Sequence, residues 1–182
     1  ITNATAGVFM DLYLLVHNES VFGWEQDIVD PATPLPVGQG YFLWTPNADT
    51  RTFPGIVNQG NVARSLVKSE GANTGFNLIG NPYPSVIDWD NPAGWTKTNL
   101  DNAIYIWNDN QYASYVGGVQ TNGGSQYIAM GQGFFVKVND GQTTGNIQIN
   151  NNARLHNPVD FRNNEDNPNV IRINVEGNNS SD

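Results

Sequence analysis

Apolar and polar residues alternate over short runs along most of the chain, and turn-forming residues separate these runs. Residues 103–107 and 112–116 are two such runs, and the Asn- and Asp-rich loop between them is typical of a tight hairpin. In residues 144–149, Ile147 and Ile149 alternate with amide side chains, which is the period of a strand with one face in water. The pattern therefore predicts β-strands throughout.

Two segments depart from simple alternation. Residues 76–81 predict a strand that ends in a turn, because the prolines that follow cannot contribute to a central ladder. Residues 90–98 predict one helical turn, with Asp90 or Asn91 as its cap and Pro92 at the first helical position.

The chain contains two copies of one pattern, roughly 90 residues apart, a period longer than those of common solenoids. Each copy carries a Gly-Gln-Gly stretch followed by an aromatic run. We expect these glycines to lie inside strands, where close packing or a bulge requires them. The matching segments are residues 12–18 with 104–109, residues 35–44 with 128–137, and residues 52–64 with 143–154.

We therefore predict an all-β fold, a β-sandwich or a jelly-roll-like architecture, with the two tandem copies related by pseudo-twofold symmetry. Residues 1–75 are the first predicted β-unit, and residues 76–156 are the second, packed with the first as one domain. Residues 157–169 are polar and poor in apolar residues, which predicts a linker, and residues 170–175 alternate as a terminal strand. Together these last segments make residues 157–182 a polar linker plus a strand.

Composition narrows the classes of function. The net charge is −9, and Lys and Arg total only 8, so we expect neither nucleic-acid binding nor attraction to anionic membranes. The chain has no cysteine, which excludes disulfides, thiolate catalysis and cysteine-ligated zinc. No apolar run is long enough to predict insertion into a membrane. Because the chain starts at Ile1 without a signal-peptide pattern, we interpret it as a piece of a longer protein.

Three strings together resemble a known kind of module: GFNLIGNPYPSVIDWD at 75–90, NAIYIWN at 102–108 and MGQGFFV at 130–136. The resemblance is to an uncharacterised β-rich module of large exported proteins of Bacteroidetes, many of which end in a type IX secretion sorting domain. It covers most of residues 9–176. It implies export and an extracellular or outer cell-surface location, and it assigns no catalytic residue.

Catalytic chemistry has weak support in the sequence. His17 and His156 are the only histidines, they fall in different copies, and neither accompanies a nucleophile motif such as G-x-S-x-G. Asp88, Asp90 and Asp101 bracket two tryptophans, as the acids of a glycosidase could. An exposed Asp-rich loop produces the same string, so we do not expect an enzyme and place a glycoside hydrolase or other hydrolase last.

The same three aspartates are candidates for a structural calcium ion, since calcium prefers carboxylate and carbonyl oxygens. The alternative is that Asn and Asp side chains here accept hydrogen bonds from their own backbone, as in turns. No D-x-D-x-D-G calcium loop is present. Calcium is therefore a possible cofactor, and no other cofactor is expected.

Aromatic residues support one binding hypothesis. Tryptophan and tyrosine rings that lie near amide side chains are typical of carbohydrate-binding surfaces. Trp44 is a favoured candidate, because it aligns with Lys137 of the other copy and a position that tolerates lysine is usually exposed. Tyr105 and Trp107 share one face of a strand and could be core. The candidate ligand-binding residues are Trp44, Trp89, Trp95, Tyr112 and Tyr115.

The sequence thus predicts a non-catalytic structural or adhesive module of a secreted or cell-surface bacterial protein. A carbohydrate-binding module that uses exposed Trp and Tyr with Asn and Asp loops is the alternative. The partners we expect are a polysaccharide or another surface protein.

Overall fold

The structure is a computed structural model, and the description that follows covers residues 13–25, 30, 32–44, 56–108, 110–156, 176–177 and 180–181. These residues form an all-β protein, which confirms the predicted fold class. Its sheets are antiparallel.

Sixteen strands are present in the described residues. They are β1 (Tyr13–Asn18), β2 (Gly23–Glu25), β3 (Phe42–Trp44), β4 (Val62–Val67), β5 (Phe76–Gly80), β6 (Val86–Asp88), β7 (Trp95–Thr98), β8 (Ala103–Asn108), β9 (Gln111–Val116), β10 (Val119–Thr121), β11 (Tyr127–Ile128), β12 (Gly133–Lys137), β13 (Thr144–Ile149), β14 (Arg154–Leu155), β15 (Glu176–Gly177) and β16 (Ser180–Ser181). Short 3₁₀ turns follow β1 and precede β14.

The largest sheet has five strands in the order β10-β9-β8-β12-β5. Its two faces follow from strand alternation: Ile104 and Ile106 of β8 are buried in the core, whereas Tyr105 and Trp107 point to the other face. Residues directly opposite each other on neighbouring strands share a face, so the strand register assigns residues of the other strands to the core face or to the second face. Phe135 of β12 lies opposite Tyr105, so the second face also carries aromatic residues.

The hydrophobic core lies between this sheet and two three-stranded sheets, β4-β13-β7 and β11-β6-β14. Phe134 and Val136 of β12 contribute from one side, and Ile147 and Ile149 of β13 contribute from the other. Leu66 of β4 joins the same core, and β4 pairs with β13 along its whole length. The two predicted units are therefore linked by a shared sheet.

The remaining three-stranded sheet, β2-β1-β3, contacts the second face of the five-stranded sheet. We call it the first sheet. A buried carboxylate attaches it: Glu19, just after β1, accepts hydrogen bonds from the backbone N–H groups of Ser69 and Gly75 and from the Ser69 hydroxyl. Donors of this kind satisfy a buried charge and make it stabilising in the docked arrangement.

The two Gly-Gln-Gly stretches form the same local turn. Gln39 N–H donates to Pro36 O at 3.1 Å, and Gln132 N–H donates to Ala129 O at 3.2 Å. Each glutamine also donates from Nε2 to the carbonyl of the glycine that follows, at 3.0 Å in both copies.

These stretches lie on opposite sides of β5. Gly80 N–H donates to Gly38 O, whereas Asn81 N–H donates to Gln132 O. Gly38 and Gly131 have positive φ values of 76° and 70° and lie in the turns. Gly40 precedes β3, and Gly133 begins β12, so the prediction that these glycines lie inside strands is correct for Gly133 and wrong for the other three. Symmetry of the complete copies stays a prediction.

Residues 90–98 also differ from the prediction. Gly94 N–H donates to Asn91 O, and Asn91 Oδ1 accepts from Ala93 N–H, so one hydrogen-bonded turn is present. No helix is assigned there, and the chain enters strand β7 at Trp95 because that strand pairs with β13. The predicted linker at 157–169 and the predicted strand at 170–175 lie outside the described residues.

Candidate binding surface

Five aromatic rings form a continuous series across the first sheet and the second face of the five-stranded sheet. We call this series the aromatic strip, and its members in order are Phe42, Trp24, Phe135, Tyr112 and Trp107. Successive ring centroids are 5.3, 6.1, 6.0 and 5.0 Å apart. The distances are those of favourable aromatic pairs, so the rings support one another.

Strand pairing positions the half of the strip that lies on the five-stranded sheet. Trp107 and Tyr112 are directly opposite each other in the β8–β9 hairpin, and Phe135 follows on β12. Phe135 is buried at the centre, whereas Trp107 and Tyr112 are 45% and 44% exposed. An exposed hairpin pair resting on a buried ring is a rigid support for a contact surface.

The first sheet supplies the other half. His17 and Trp24 are opposite each other in the β1–β2 hairpin, and both rings make edge contacts with Phe135. Trp24 is 41% exposed, and Phe42 of β3 packs against it. The strip is therefore complete only while the first sheet is docked.

His17 keeps the centre of the strip uncharged. Burial lowers the pKa of His17, and the nearby negative charge of Glu19 only partly opposes this effect. Its Nδ1 atom is buried, and within the described residues no group donates to it or accepts from it. The imidazole of His17 is therefore neutral at neutral pH.

Polar groups accompany the rings. Asn110 lies in the loop that connects β8 to β9, close in the chain to Trp107 and Tyr112. Asn108 and Gln111 end the two strands, and strand alternation places them on the face opposite Trp107 and Tyr112. Ser114 lies on the same face as Tyr112, two residues further along β9, and is partly exposed. The surface thus combines ring faces and edges with uncharged hydrogen-bonding groups.

A family model for a domain of unknown function, DUF8693, matches residues 10–117 of the chain. The chain belongs to the DUF8693 family. No curated protein and no solved structure is significantly similar to it. In the described part of the chain, no helix is long and apolar enough to cross a membrane.

The DUF8693 match spans β1 to β9 and therefore includes four of the five strip rings, while Phe135 on β12 lies beyond it. The match also crosses residues 75 and 76, where the sequence analysis placed the border between the two units. In this DUF8693 chain the strip thus joins elements on both sides of that border.

Two of the five residues predicted from sequence to bind a ligand are exposed. Tyr112 belongs to the strip, and Trp44, 49% exposed, shares the face of β3 that carries Phe42. The exposure of Trp44 agrees with the expectation that a position aligned with Lys137 lies at the surface.

The other three are core residues, which corrects their assignment as binding residues. Trp89 is fully buried, and Trp95 and Tyr115 are nearly so. Trp89 and Trp95 pack edge to face at 4.9 Å, and their indole N–H groups donate to Asn102 Oδ1 and to the Asp88 carbonyl. With its hydrogen bonds satisfied inside the protein, neither ring presents a face to a ligand.

Lys97 of β7 lies over this tryptophan pair. Its Nζ atom is 3.3 Å from the centroid of the Trp89 ring and donates to the Trp89 carbonyl at 2.9 Å. Burial lowers the pKa of Lys97 to about 8, and the charges of Asp90 and Asp88 only partly offset the effect. The contacts with the Trp89 ring and carbonyl hold the Lys97 side chain against the edge of the core.

The three aspartates proposed as calcium ligands serve local structure. Asp88 Oδ1 accepts from the Asp90 backbone and from Gln126, and Asp90 Oδ2 accepts from the Tyr115 hydroxyl. That bond and burial raise the pKa of Tyr115 to about 12. Asp101 instead faces Lys137 at 3.8 Å.

Among the described residues, no group of three or more His, Asp or Glu side chains is placed to hold a metal ion. The structure therefore does not bring Asp88, Asp90 and Asp101 together as a calcium site. The Asp88 contact with its own loop backbone matches the alternative, in which Asp side chains form turns.

Sequence reasoning missed Trp24, Phe42 and Phe135, and it left Trp107 undecided between core and surface. Alternation in β8 did contain part of the signal, because it separates Tyr105 and Trp107 from Ile104 and Ile106. The aliphatic side is the better core candidate. No comparable pattern marks the short strands β2 and β3.

Proposed function

We propose that this chain is a non-catalytic adhesive module of an exported bacterial protein, and that the aromatic strip is its contact surface. The observation that carries the proposal is four partly exposed strip rings held around the buried ring of Phe135. Exposed apolar patches on soluble proteins commonly mark interaction sites. Export and a cell-surface location follow from the resemblance to modules of Bacteroidetes exported proteins.

An adhesion assay tests this proposal. Beads coated with the purified chain are passed over surfaces coated with mucin, with plant polysaccharide and with fibronectin, and retention is counted. We expect retention on at least one surface, reduced about tenfold by Trp107→Ala, as for a residue central to an interface. Val67→Ala serves as the control, because Val67 is exposed on β4, outside the strip.

Location is tested separately. Antibody against the chain should label intact cells of the bacterium that carries the gene, without permeabilisation.

Equal retention of the wild type and Trp107→Ala on every surface would contradict the proposal that the strip is the contact surface. Labelling only after permeabilisation would remove the surface location.

A carbohydrate-binding module is the second candidate. The combination of Trp and Tyr rings with Ser114 and with Asn110 of the β8–β9 loop favours it, since sugar rings pack on aromatic side chains and hydroxyl groups need directed hydrogen bonds.

A further inference from the structure

The charge around the strip restricts the chemistry of its ligand. Cation–ring contacts in the described residues fall on Trp89, Trp95 and Tyr83, none of which belongs to the strip. The strip rings themselves are uncharged, and the whole chain carries a net charge of −9. An anionic ligand would be repelled over the whole molecule and would find no cation on the rings. A neutral ligand meets neither problem.

The arrangement of the exposed rings suits an extended ligand. They form two pairs, Phe42 with Trp24 at 5.3 Å and Tyr112 with Trp107 at 5.0 Å, on either side of the buried ring of Phe135. A ligand that contacts both pairs must be long enough to pass over Phe135, as an extended chain of sugars can. A compact ligand would contact one pair.

The tilt of the rings decides between a single chain and a crystalline surface. Neighbouring rings are inclined to each other by 51° for Trp24 and Phe42, 76° for Trp24 and Phe135, 77° for Tyr112 and Phe135, and 71° for Trp107 and Tyr112. Because the rings are far from coplanar, a flat crystal face can contact few of them together. A separate chain can rotate at each glycosidic bond and follow the strip.

We propose that the aromatic strip binds single, soluble chains of neutral sugars, with sugar rings packed against the pair Phe42 and Trp24 and against the pair Tyr112 and Trp107. This inference rests on the proposed function, and it names the class of ligand that the same surface takes. Hydrogen bonds to the sugar hydroxyls come from Ser114, which shares the face of Tyr112, and from Asn110 of the β8–β9 loop.

Affinity electrophoresis of the full chain tests the proposal. Native gels are cast with one neutral glycan each, namely mixed-linkage β-glucan, xyloglucan or galactomannan, and with alginate as the anionic comparison. Microcrystalline cellulose is used in a sedimentation assay. We expect retardation by at least one neutral glycan, none by alginate, and little sedimentation with the crystalline polymer.

Variants locate the binding. Trp24→Ala and Trp107→Ala should each weaken the retarding interaction about tenfold or more, Trp107→Phe should retain most of it, and Val67→Ala should leave it unchanged. If Trp24→Ala lowers the melting temperature by loosening the first sheet, Trp107→Ala keeps the test decisive, because β8 is central in its sheet.

Several results would overturn the inference: no retardation by any neutral glycan, stronger binding to alginate or to microcrystalline cellulose, or wild-type binding by both alanine variants. The wild type could bind no glycan and still be retained in the adhesion assay in a way that depends on the strip. That result would reject the sugar ligand and keep the adhesive function, with a protein as the partner. A doubling of mass that Trp107→Ala abolishes would assign the strip to a second copy of the chain and overturn both.

Discussion

At the scale of single residues, the same side-chain types have opposite roles in different places. Trp89 and Trp107 both stand just before polar residues of the sequence, yet one is fully buried and the other is a surface ring. The difference comes from strand parity and from which sheet covers each face. The indole N–H of Trp89 has a partner in Asn102, which makes full burial inexpensive for a residue with a polar group.

Lys97 permits a prediction at this scale. Its pKa is lowered to about 8, so the folded protein binds its proton less tightly than the unfolded chain does. Stability therefore rises with pH between about 8 and the ordinary lysine value of about 10.4, and the contribution is lost as pH falls through 8. Lys97→Met should remove that rise, which we expect to be on the order of 1 kcal/mol because the amine is partly exposed.

Urea denaturation at pH 7.5 and at pH 9.5 measures this effect. The wild type should gain stability between the two pH values, and the variant should not. Measurements must stay below pH 10, since the raised pKa of Tyr115, about 12, makes the folded state lose stability once tyrosines of the unfolded chain ionise. An identical pH dependence in both proteins would contradict the account of Lys97.

Residue-level prediction succeeded where local pattern decides and failed where long-range packing decides. Exposure of Trp44 was correctly inferred from its alignment with Lys137. Trp95 and Tyr115 were placed at a binding surface because amide-rich loops surround them in sequence, whereas β7 pairs with β13 and turns Trp95 into the core. Nothing within residues 90–98 reveals that partner.

At the scale of elements, the strand pattern was the most informative feature. Both strands of the β8–β9 hairpin were anticipated to within about a residue, because alternation and turn residues suffice for a local hairpin. The pairing of β4 with β13 joins residues about eighty positions apart, and no local signal specifies it. The strip depends on such distant contacts, so its composition could not be derived from sequence.

The shared Gly-Gln-Gly turn leads to a prediction for two elements at once. Gly38 and Gly131 both have positive φ, where a side chain costs about 1–2 kcal/mol. Gly38→Ala and Gly131→Ala should therefore each destabilise the protein, and at Gly38 the added Cβ would in addition lie 2.9 Å from Val62.

Gly23→Ala is the matched control for these two variants. Gly23 has no positive φ and its added Cβ would meet nothing closer than 3.6 Å. Thermal unfolding of the three variants gives the comparison. Should Gly131→Ala be as harmless as Gly23→Ala, the equivalence of the two turns would lose its physical basis.

Glu19 supports a second prediction about an element, the first sheet. Burial raises the pKa of Glu19, but hydrogen bonds from Gly75 and Ser69 and the charge of Lys68 outweigh it, so the pKa lies below its ordinary value. Its stabilising contribution is complete above the unfolded pKa of about 4.3 and is lost as pH falls through the lower folded value. Glu19→Gln puts an NH₂ group against backbone donors and should cost about 2–3 kcal/mol at pH 7.

Urea denaturation of Glu19→Gln at pH 7 and at pH 3 checks this, with Glu70→Gln as control because Glu70 is exposed and lies next to Ser69, in the loop that Glu19 contacts. The Glu19 variant should be less stable at pH 7 and should lose less stability on acidification than the wild type. Wild-type stability in Glu19→Gln would show that the carboxylate does not attach the first sheet.

At the scale of the whole molecule, stability and binding are placed in different layers. The core cluster is built from the five-stranded sheet and the two sheets that face it, and the first sheet contributes no residue to it. The described residues attach the first sheet through the Glu19 carboxylate, the ring contacts with Phe135, the buried side chain of Leu14 and the backbone bonds of the segment that enters β3. The free energy of local unfolding is lower for a layer with fewer buried contacts than for the core.

Native-state hydrogen exchange measures this difference directly. Amides of β1 and β2 should exchange at a free energy several kcal/mol below that of β8 and β12, and acidification towards pH 3 should widen the gap, because protonation of Glu19 weakens its hold on the first sheet. Since Trp24 and Phe42 lie on the first sheet, opening it divides the strip, and affinity for a glycan chain should fall with the same acid dependence. Equal exchange free energies in all four strands would instead mean that the first sheet unfolds only with the core, and the strip would then be a permanent surface rather than one assembled by docking.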